Sequence, residues 1–288
     1  MNFTKSQAAG NDFILAEAEN LKRDWSKMAI AMCDRHFGIG ADGLLLALSS
    51  TVADVQMRIF NPDGSEAEAC GNGLRCLAKY VVDKGLTSRV RELSVETRSG
   101  IRTVKLLYDG DAITKIQAGM GEPKFGAKDI PVVIEPGRGG LVDIKPTLDY
   151  HITVDGEELA LNFVSMGNPH AVYFWQNPVS DFPLSHLGPR VEQHRMFPHR
   201  VNFEVARIMS RQSVEARVWE RGVGETLACG TGACAVAVTA RLHGYANNSV
   251  EVKLPGGILE VEWNGEGEVF LSGPVAEVFS GNWPEREV

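Results

Sequence analysis

The sequence predicts an α+β fold of two pseudo-twofold-related domains, each a mainly antiparallel curved sheet around a central helix, with the active site in the interdomain cleft. Three observations predict it: a long-range internal repeat, strand-like alternation at matching places in both copies, and one apolar helix per copy.

The repeat comes first because it organises the rest. Gly10-Asn11 recurs as Gly167-Asn168, 157 residues later, and Arg58-Ile59-Phe60-Asn61 recurs as Arg217-Val218-Trp219-Glu220, 159 later. Glu66 to Gly73 (Glu-Ala-Glu-Ala-Cys-Gly-Asn-Gly) recurs as Glu225 to Gly232 (Glu-Thr-Leu-Ala-Cys-Gly-Thr-Gly), again at 159, and Ser99-Gly100-Ile101 recurs as Gly256-Gly257-Ile258 at 157. Four matches in one order at nearly one offset indicate a duplicated domain. The Gly- and Pro-dense stretch 119–146 reads as the connection between copies. The expected domains are residues 1–121 with 274–288, the last residues returning to the first domain, and 122–273.

Within each copy the strands follow from period-two alternation. Val55 to Phe60 matches Val214 to Trp219, and Leu93 to Thr97 matches Val250 to Leu254. The helices follow from apolar residues on nearly every turn: Leu74 to Lys84 stops at Gly85, and Ala233 to His243 stops at Gly244. A helix apolar on nearly all sides belongs in an interior.

Bulk properties narrow the function. A chain of 288 residues with 44% hydrophobic residues can bury real cores. A formal net charge of -8 without Lys/Arg blocks argues against nucleic-acid and anionic-membrane partners, leaving a small molecule as the expected ligand. No apolar stretch reaches membrane-spanning length and the start does not read as a secretory signal, so a cytoplasmic location is expected. Five cysteines, Cys33, Cys70, Cys76, Cys229 and Cys234, are too few and odd in number for a disulfide framework.

The chemistry concentrates at Cys70-Gly-Asn-Gly73 and Cys229-Gly-Thr-Gly232. At a helix start, glycines let backbone N–H groups approach an anion, and the helix dipole favours negative charge there. The same field should lower the thiol pKa below its usual ~8.5. If the copies face each other, one thiolate can take an α-proton and the other thiol can return one from the opposite face. Backbone N–H groups would hold the α-carboxylate, and the scheme requires neither pyridoxal phosphate, another cofactor, nor a metal.

Competing readings are weaker. Cys33, Cys76 and Cys234 read as small buried hydrophobes. The Cys-x5-Cys and Cys-x4-Cys spacings fit structural zinc poorly. Gly38-Ile-Gly-Ala-Asp-Gly43 matches the dinucleotide fingerprint in letters, but the preceding Trp25 to His36 reads as helix instead of strand. A bridge between Cys70 and Cys229 would be an oxidised, inactive form.

Taken together the motifs resemble diaminopimelate epimerase over almost the whole chain. The resemblance rests on Gly10-Asn11-Asp12-Phe13, Gly38 to Asp42, Asn61 to Ser65, Cys70 to Cys76, Ser165 to His170, Arg200-Val-Asn202, Glu220 to Thr226, Cys229 to Cys234 and Leu254 to Gly257. It implies interconversion of LL- and meso-diaminopimelate in lysine biosynthesis, with Cys70 and Cys229 as the acid/base pair and His170 and Glu220 assisting proton movement. It further implies a substrate shell of Asn11, Asn61, Asn168, Asn202, Glu220 and Arg221, with Gly71-Asn72 and Gly230-Thr231 as carboxylate-binding backbone. That shell suits a second amino-acid head: Arg221 for a distal carboxylate, Glu220 and the Asn oxygens for a distal ammonium. Gly43 stands where many members carry a Gln that reaches the substrate, which bears on substrate range. A racemase of another polar amino acid, such as histidine, on the same fold is the alternative. The chain is compatible with a homodimer.

Overall fold

The computed structural model describes residues 1–18, 23–67, 70–88, 90–133 and 147–284. The chain divides into two compact units, Met1–Gly119 with Ser272–Val288, and Met120–Leu271. Each boundary falls two residues before the expected one. The connecting stretch expected over 119–146 begins at this boundary, and its residues 134–146 lie outside the described residues.

In the first unit the chain runs β1 (Asn2–Ala8), β2 (Asn11–Glu17), α1 (Trp25–Cys33), β3 (Gly43–Leu48), β4 (Val55–Phe60), β5 (Glu66–Ala67), α2 (Gly71–Asp83), β6 (Glu92–Thr97), β7 (Gly100–Asp109) and β8 (Ala112–Gly119). The second runs β9 (Tyr150–Val154), β10 (Glu157–Ser165), β11 (Pro169–Phe174), α3 (Leu184–Glu192), β12 (Asn202–Ser210), β13 (Ser213–Glu220), β14 (Gly224–Thr226), α4 (Gly230–Leu242), β15 (Ser249–Leu254) and β16 (Gly257–Glu262), and β17 (Phe270–Gly273) straddles its end at Leu271. A final strand, β18 (Ala276–Asn282), pairs antiparallel with β1 in the first unit, as β9 pairs with β10 in the second.

The pairings repeat element for element. β1–β2 and β10–β11 are antiparallel, β2–β3 and β11–β12 parallel, β3–β4 and β12–β13 antiparallel. β4 pairs parallel with β6 through Val55 and Val95, and β13 with β15 through Val214 and Val252. Most pairings are antiparallel, with two parallel junctions in each unit where a helix makes the crossover.

Each sheet strand at the heart of a unit is covered twice. Leu44 and Leu46 of β3 face Met28, Ala29 and Met32 of α1, while the alternate face meets α2. Phe203 and Val205 of β12 likewise face Leu184 and Leu187 of α3, and α4 lies on the other side. The central helices pack on most strands of their own unit, α2 on β1 to β4, β7 and β8, α4 on β10 to β13, β15 and β16. Both start three residues earlier than the apolar pattern suggested, directly after Cys70 and Cys229. Among the described residues no helix is long and apolar enough to cross a membrane.

Candidate active site

In each unit the chain turns from a short hairpin into the central helix, and the cysteine is the residue before the first turn. Both have extended backbone, with φ -147° at Cys70 and -119° at Cys229. The hairpins are clamped alike. Arg58 Nε and Nη2 donate to the two Glu66 oxygens at 2.7 and 3.0 Å, and Arg217 repeats this on Glu225 at 2.8 and 3.0 Å. Two-pronged guanidinium–carboxylate pairs fix geometry as well as distance, so each cysteine is delivered from a defined hairpin.

The second glycine of each motif has a packing reason. A Cβ on Gly73 would lie 3.3 Å from Leu45 Cδ2, and one on Gly232 would lie 3.0 Å from Glu204 Oε1. The motif suggests ligand approach as the use of these glycines; in the structure Gly73 and Gly232 also let the helix start settle onto β3 or β12.

In the first unit Asn11, Asn72 and Cys70 come together. Asn11 Oδ1 accepts from Asn72 Nδ2 at 3.1 Å and lies 4.0 Å from Cys70 Sγ, while Asn11 Nδ2 donates to Asp42 Oδ2 at 2.7 Å. Asn72 Oδ1 accepts from Arg75 Nη2 at 2.8 Å, and Arg75 is fully buried. Behind Asn11, Asp12 takes Lys5 and Arg35, and Arg35 also reaches Asp42. Burial pushes the Asp12 carboxyl up, but its hydrogen bonds to Arg35 and Lys5 outweigh that and hold it well below the usual range. Asn61 bridges its own turn, donating from Nδ2 to Ser65 Oγ at 2.9 Å.

The surroundings of Cys229 in the second unit are built differently. His170 and Glu204 have wholly buried side chains, with Nδ1 2.7 Å from Oε1. His170 Nε2 lies 3.0 Å from Asn168 Oδ1, Asn168 Nδ2 donates to Thr231 Oγ1 at 3.2 Å, and that hydroxyl is 3.5 Å from Cys229 Sγ. Gly232 N–H donates to Cys229 Sγ at 3.4 Å. Glu220 accepts from Thr226 Oγ1 at 2.6 Å. Asn202 gives both amide atoms to backbone, Nδ2 to Pro169 O at 2.9 Å and Oδ1 to Arg221 N–H at 2.9 Å. Arg221 Nη1 reaches His199 O at 3.1 Å, with the rest of the side chain exposed.

The expectation of a lowered thiol pKa is overturned at Cys229. Burial above all, then the Glu220 carboxylate and, more weakly, Glu204, push this thiol well above its usual range, and the hydrogen bonds from Thr231 and Gly232 oppose them only in part. At Cys229 burial and the neighbouring carboxylates outweigh the lowering effect of the helix-start N–H of Gly232. Cys33, Cys76 and Cys234 are buried, and burial lifts the first two to about 12. None of the five cysteines is joined in a disulfide.

Three contributors have no role assigned from the sequence: Glu204, and, inside the Cys70 to Cys76 and Gly38 to Asp42 motifs, Arg75 and Asp42. Burial raises the Glu204 carboxyl and His170 opposes it.

A family model described as diaminopimelate epimerase matches residues 3–126 and 162–278. A diaminopimelate epimerase from Pelotomaculum thermopropionicum is 45% identical over 99% of this chain and 100% of its own length. Among solved structures, a phenazine biosynthesis protein of the PhzF family from Bacillus anthracis superposes with a TM-score of 0.69 at 18% identity, covering 98% of both chains. A probable proline racemase from Agrobacterium radiobacter K84 gives 0.70 at 14%, covering 99% of this chain and 93% of the other. The two structural matches speak for the fold alone.

Proposed function

The chain belongs to the diaminopimelate epimerase family, and on that premise we propose that it interconverts LL- and meso-diaminopimelate in lysine biosynthesis, without pyridoxal phosphate. One of Cys70 and Cys229 removes the α-proton as a thiolate, a planar carbanion forms, and the other returns a proton to the opposite face as a thiol. The observation that carries this reading is the pair of Cys-Gly-x-Gly helix starts, each delivered by the same Arg–Glu-clamped hairpin in units of the same topology.

In this mechanism the backbone N–H groups of Gly71-Asn72 and Gly230-Thr231 receive the α-carboxylate and the charge that grows on it as the carbanion forms. Glu220 and the Asn11, Asn61 and Asn168 amides offer acceptors to the distal ammonium, and Arg221 offers its guanidinium to the distal carboxylate. Asn202 acts through Arg221, whose backbone it holds. We assign the enzyme to the cytoplasm as a homodimer acting on a free amino acid.

Incubation in heavy water with single pure amino acids tests the assignment. LL- and meso-diaminopimelate should exchange their α-hydrogen while histidine and proline do not. Rapid exchange of histidine with none of diaminopimelate would transfer the assignment to a histidine racemase of the same fold.

A further inference from the structure

The equivalence of the units lets the surroundings of their cysteines be compared position by position. Leu45 lies under Gly73 where Glu204 lies under Gly232. In the parallel pairings, Phe13 stands opposite Gly43 where His170 stands opposite Asn202. The second unit thus buries a carboxyl and an imidazole where the first buries two hydrocarbon side chains. Desolvating such a pair is costly, and the first unit shows that the fold packs without it. The polar pair is there for another reason.

That reason lies in the direction of the hydrogen bonds. Asn168 Oδ1 is an acceptor, so His170 Nε2 carries a proton towards it; this holds whether the proton shared with Glu204 resides on Nδ1 or on Oε1. The Asn168 amide is thereby oriented, and its Nδ2 donates to Thr231 Oγ1. With that lone pair filled, the Thr231 hydroxyl can turn its proton to Cys229 Sγ, 3.5 Å away, and must do so for that contact once the sulfur is a thiolate that can only accept. Without a partner at Nδ1, a neutral imidazole could move its proton to that nitrogen and Asn168 would turn over.

The geometry points to Glu204 as a positioning residue: through His170 and Asn168 it directs the Thr231 hydroxyl onto Cys229 Sγ and supports the thiolate that forms there in turnover. This rests on the two-thiol reading above. Burial and the carboxylates of Glu220 and Glu204 favour the thiol as the resting form of Cys229, so Glu204 helps the thiolate through the hydrogen bonds of the relay and not through its charge.

E204L, which installs the first unit's residue, and E204Q are the test. Each is measured for kcat and KM on diaminopimelate, for thermal midpoint, and for the alkylation rates of Cys229 and Cys70 by iodoacetamide, read peptide by peptide in a mass spectrometer. E204L should fold with a midpoint at or above wild type, lose about tenfold or more in kcat with little change in KM, and show slower alkylation of Cys229 alone. E204Q, whose amide can serve Nδ1 as donor or acceptor, should fall between E204L and wild type. A folded E204L with wild-type kcat and Cys229 alkylation overturns the proposal, and so does a parallel loss of both thiols' reactivity with a lowered midpoint. If E204L does not fold, wild-type kinetics and alkylation in E204Q overturn it. The alkylation arm needs no turnover, so a chain inactive on diaminopimelate would refute the assigned reaction while the relay was still judged.

Discussion

Asn11 and Asn168 occupy equivalent strand entries, and their side-chain amides point in opposite senses. Asn11 turns its carbonyl oxygen to Asn72 and Cys70, whereas Asn168 turns its amide nitrogen to Thr231, the residue equivalent to Asn72. Each orientation has its own anchor: Asp42 accepts from Asn11 Nδ2, and His170 serves Asn168 Oδ1. The duplicated scaffold therefore presents its two sulfurs to different partners, an acceptor at Cys70 and a hydroxyl at Cys229.

The first prediction concerns the Asn11 anchor. Asp42→Ala should release the Asn11 amide and lower kcat about tenfold. Its carboxylate is 41% exposed, so unfolding free energy should change by less than about 1 kcal/mol. Wild-type turnover in a folded variant would detach Asn11 from the mechanism.

The glycines beneath the helix starts should respond unequally to alanine. At Gly73 the new methyl meets the flexible end of Leu45, which can shift, and the gain in helix propensity of about 1 kcal/mol offsets the crowding. At Gly232 it meets Glu204 Oε1, pinned by His170, and Val218 at 3.2 Å. Urea unfolding should find Gly73→Ala near neutral and Gly232→Ala destabilised by about 1–3 kcal/mol; equal effects would contradict the packing argument.

The two hairpin clamps also differ in reach. Arg217 Nη1 donates further to Val179 O at 2.8 Å and Phe182 O at 3.0 Å. Arg217→Ala should therefore cost about 2–3 kcal/mol against about 1 for Arg58→Ala, read from urea midpoints. The reverse order would mean that the backbone contacts add nothing.

Asp12 predicts an acid-side signature. Its folded-state pKa lies below the unfolded value of ~3.9, so its contribution is complete above about pH 4 and fades as pH falls towards the folded pKa. The stability gap between wild type and Asp12→Asn should be constant from neutrality to about pH 5 and narrow at pH 3. A gap that widened on acidification would reverse the sign of this coupling.

Much of this architecture could be read from the chain. The offset of 157 to 159 residues matched the strands, the central helices and the Arg58 and Arg217 clamps, because those features depend on local periodicity and on residues that recur in both copies. Glu204 was hidden by the same logic: between Phe203 and Val205 it reads as the solvent side of an alternating strand. It is buried because helices cover both faces of β12. The repeat contained the missing signal, since Glu204 stands 159 residues after Leu45, inside the wholly apolar run of β3. Arg75 offered a similar one, as a lone charge among Leu74, Cys76, Leu77 and Ala78. The state of the Cys229 thiol could not be read, because burial and Glu220 act on it through tertiary structure.

Where solvent hydrogen enters during turnover tests the two-thiol account most directly. Starting from LL-diaminopimelate in heavy water, proton NMR of the first turnovers should show meso product deuterated at the inverted α-carbon while unreacted LL substrate keeps its protium, because one sulfur takes and the other gives. Product that retained the original hydrogen, or deuterium appearing in unreacted substrate as fast as in product, would mean that a single group does both jobs.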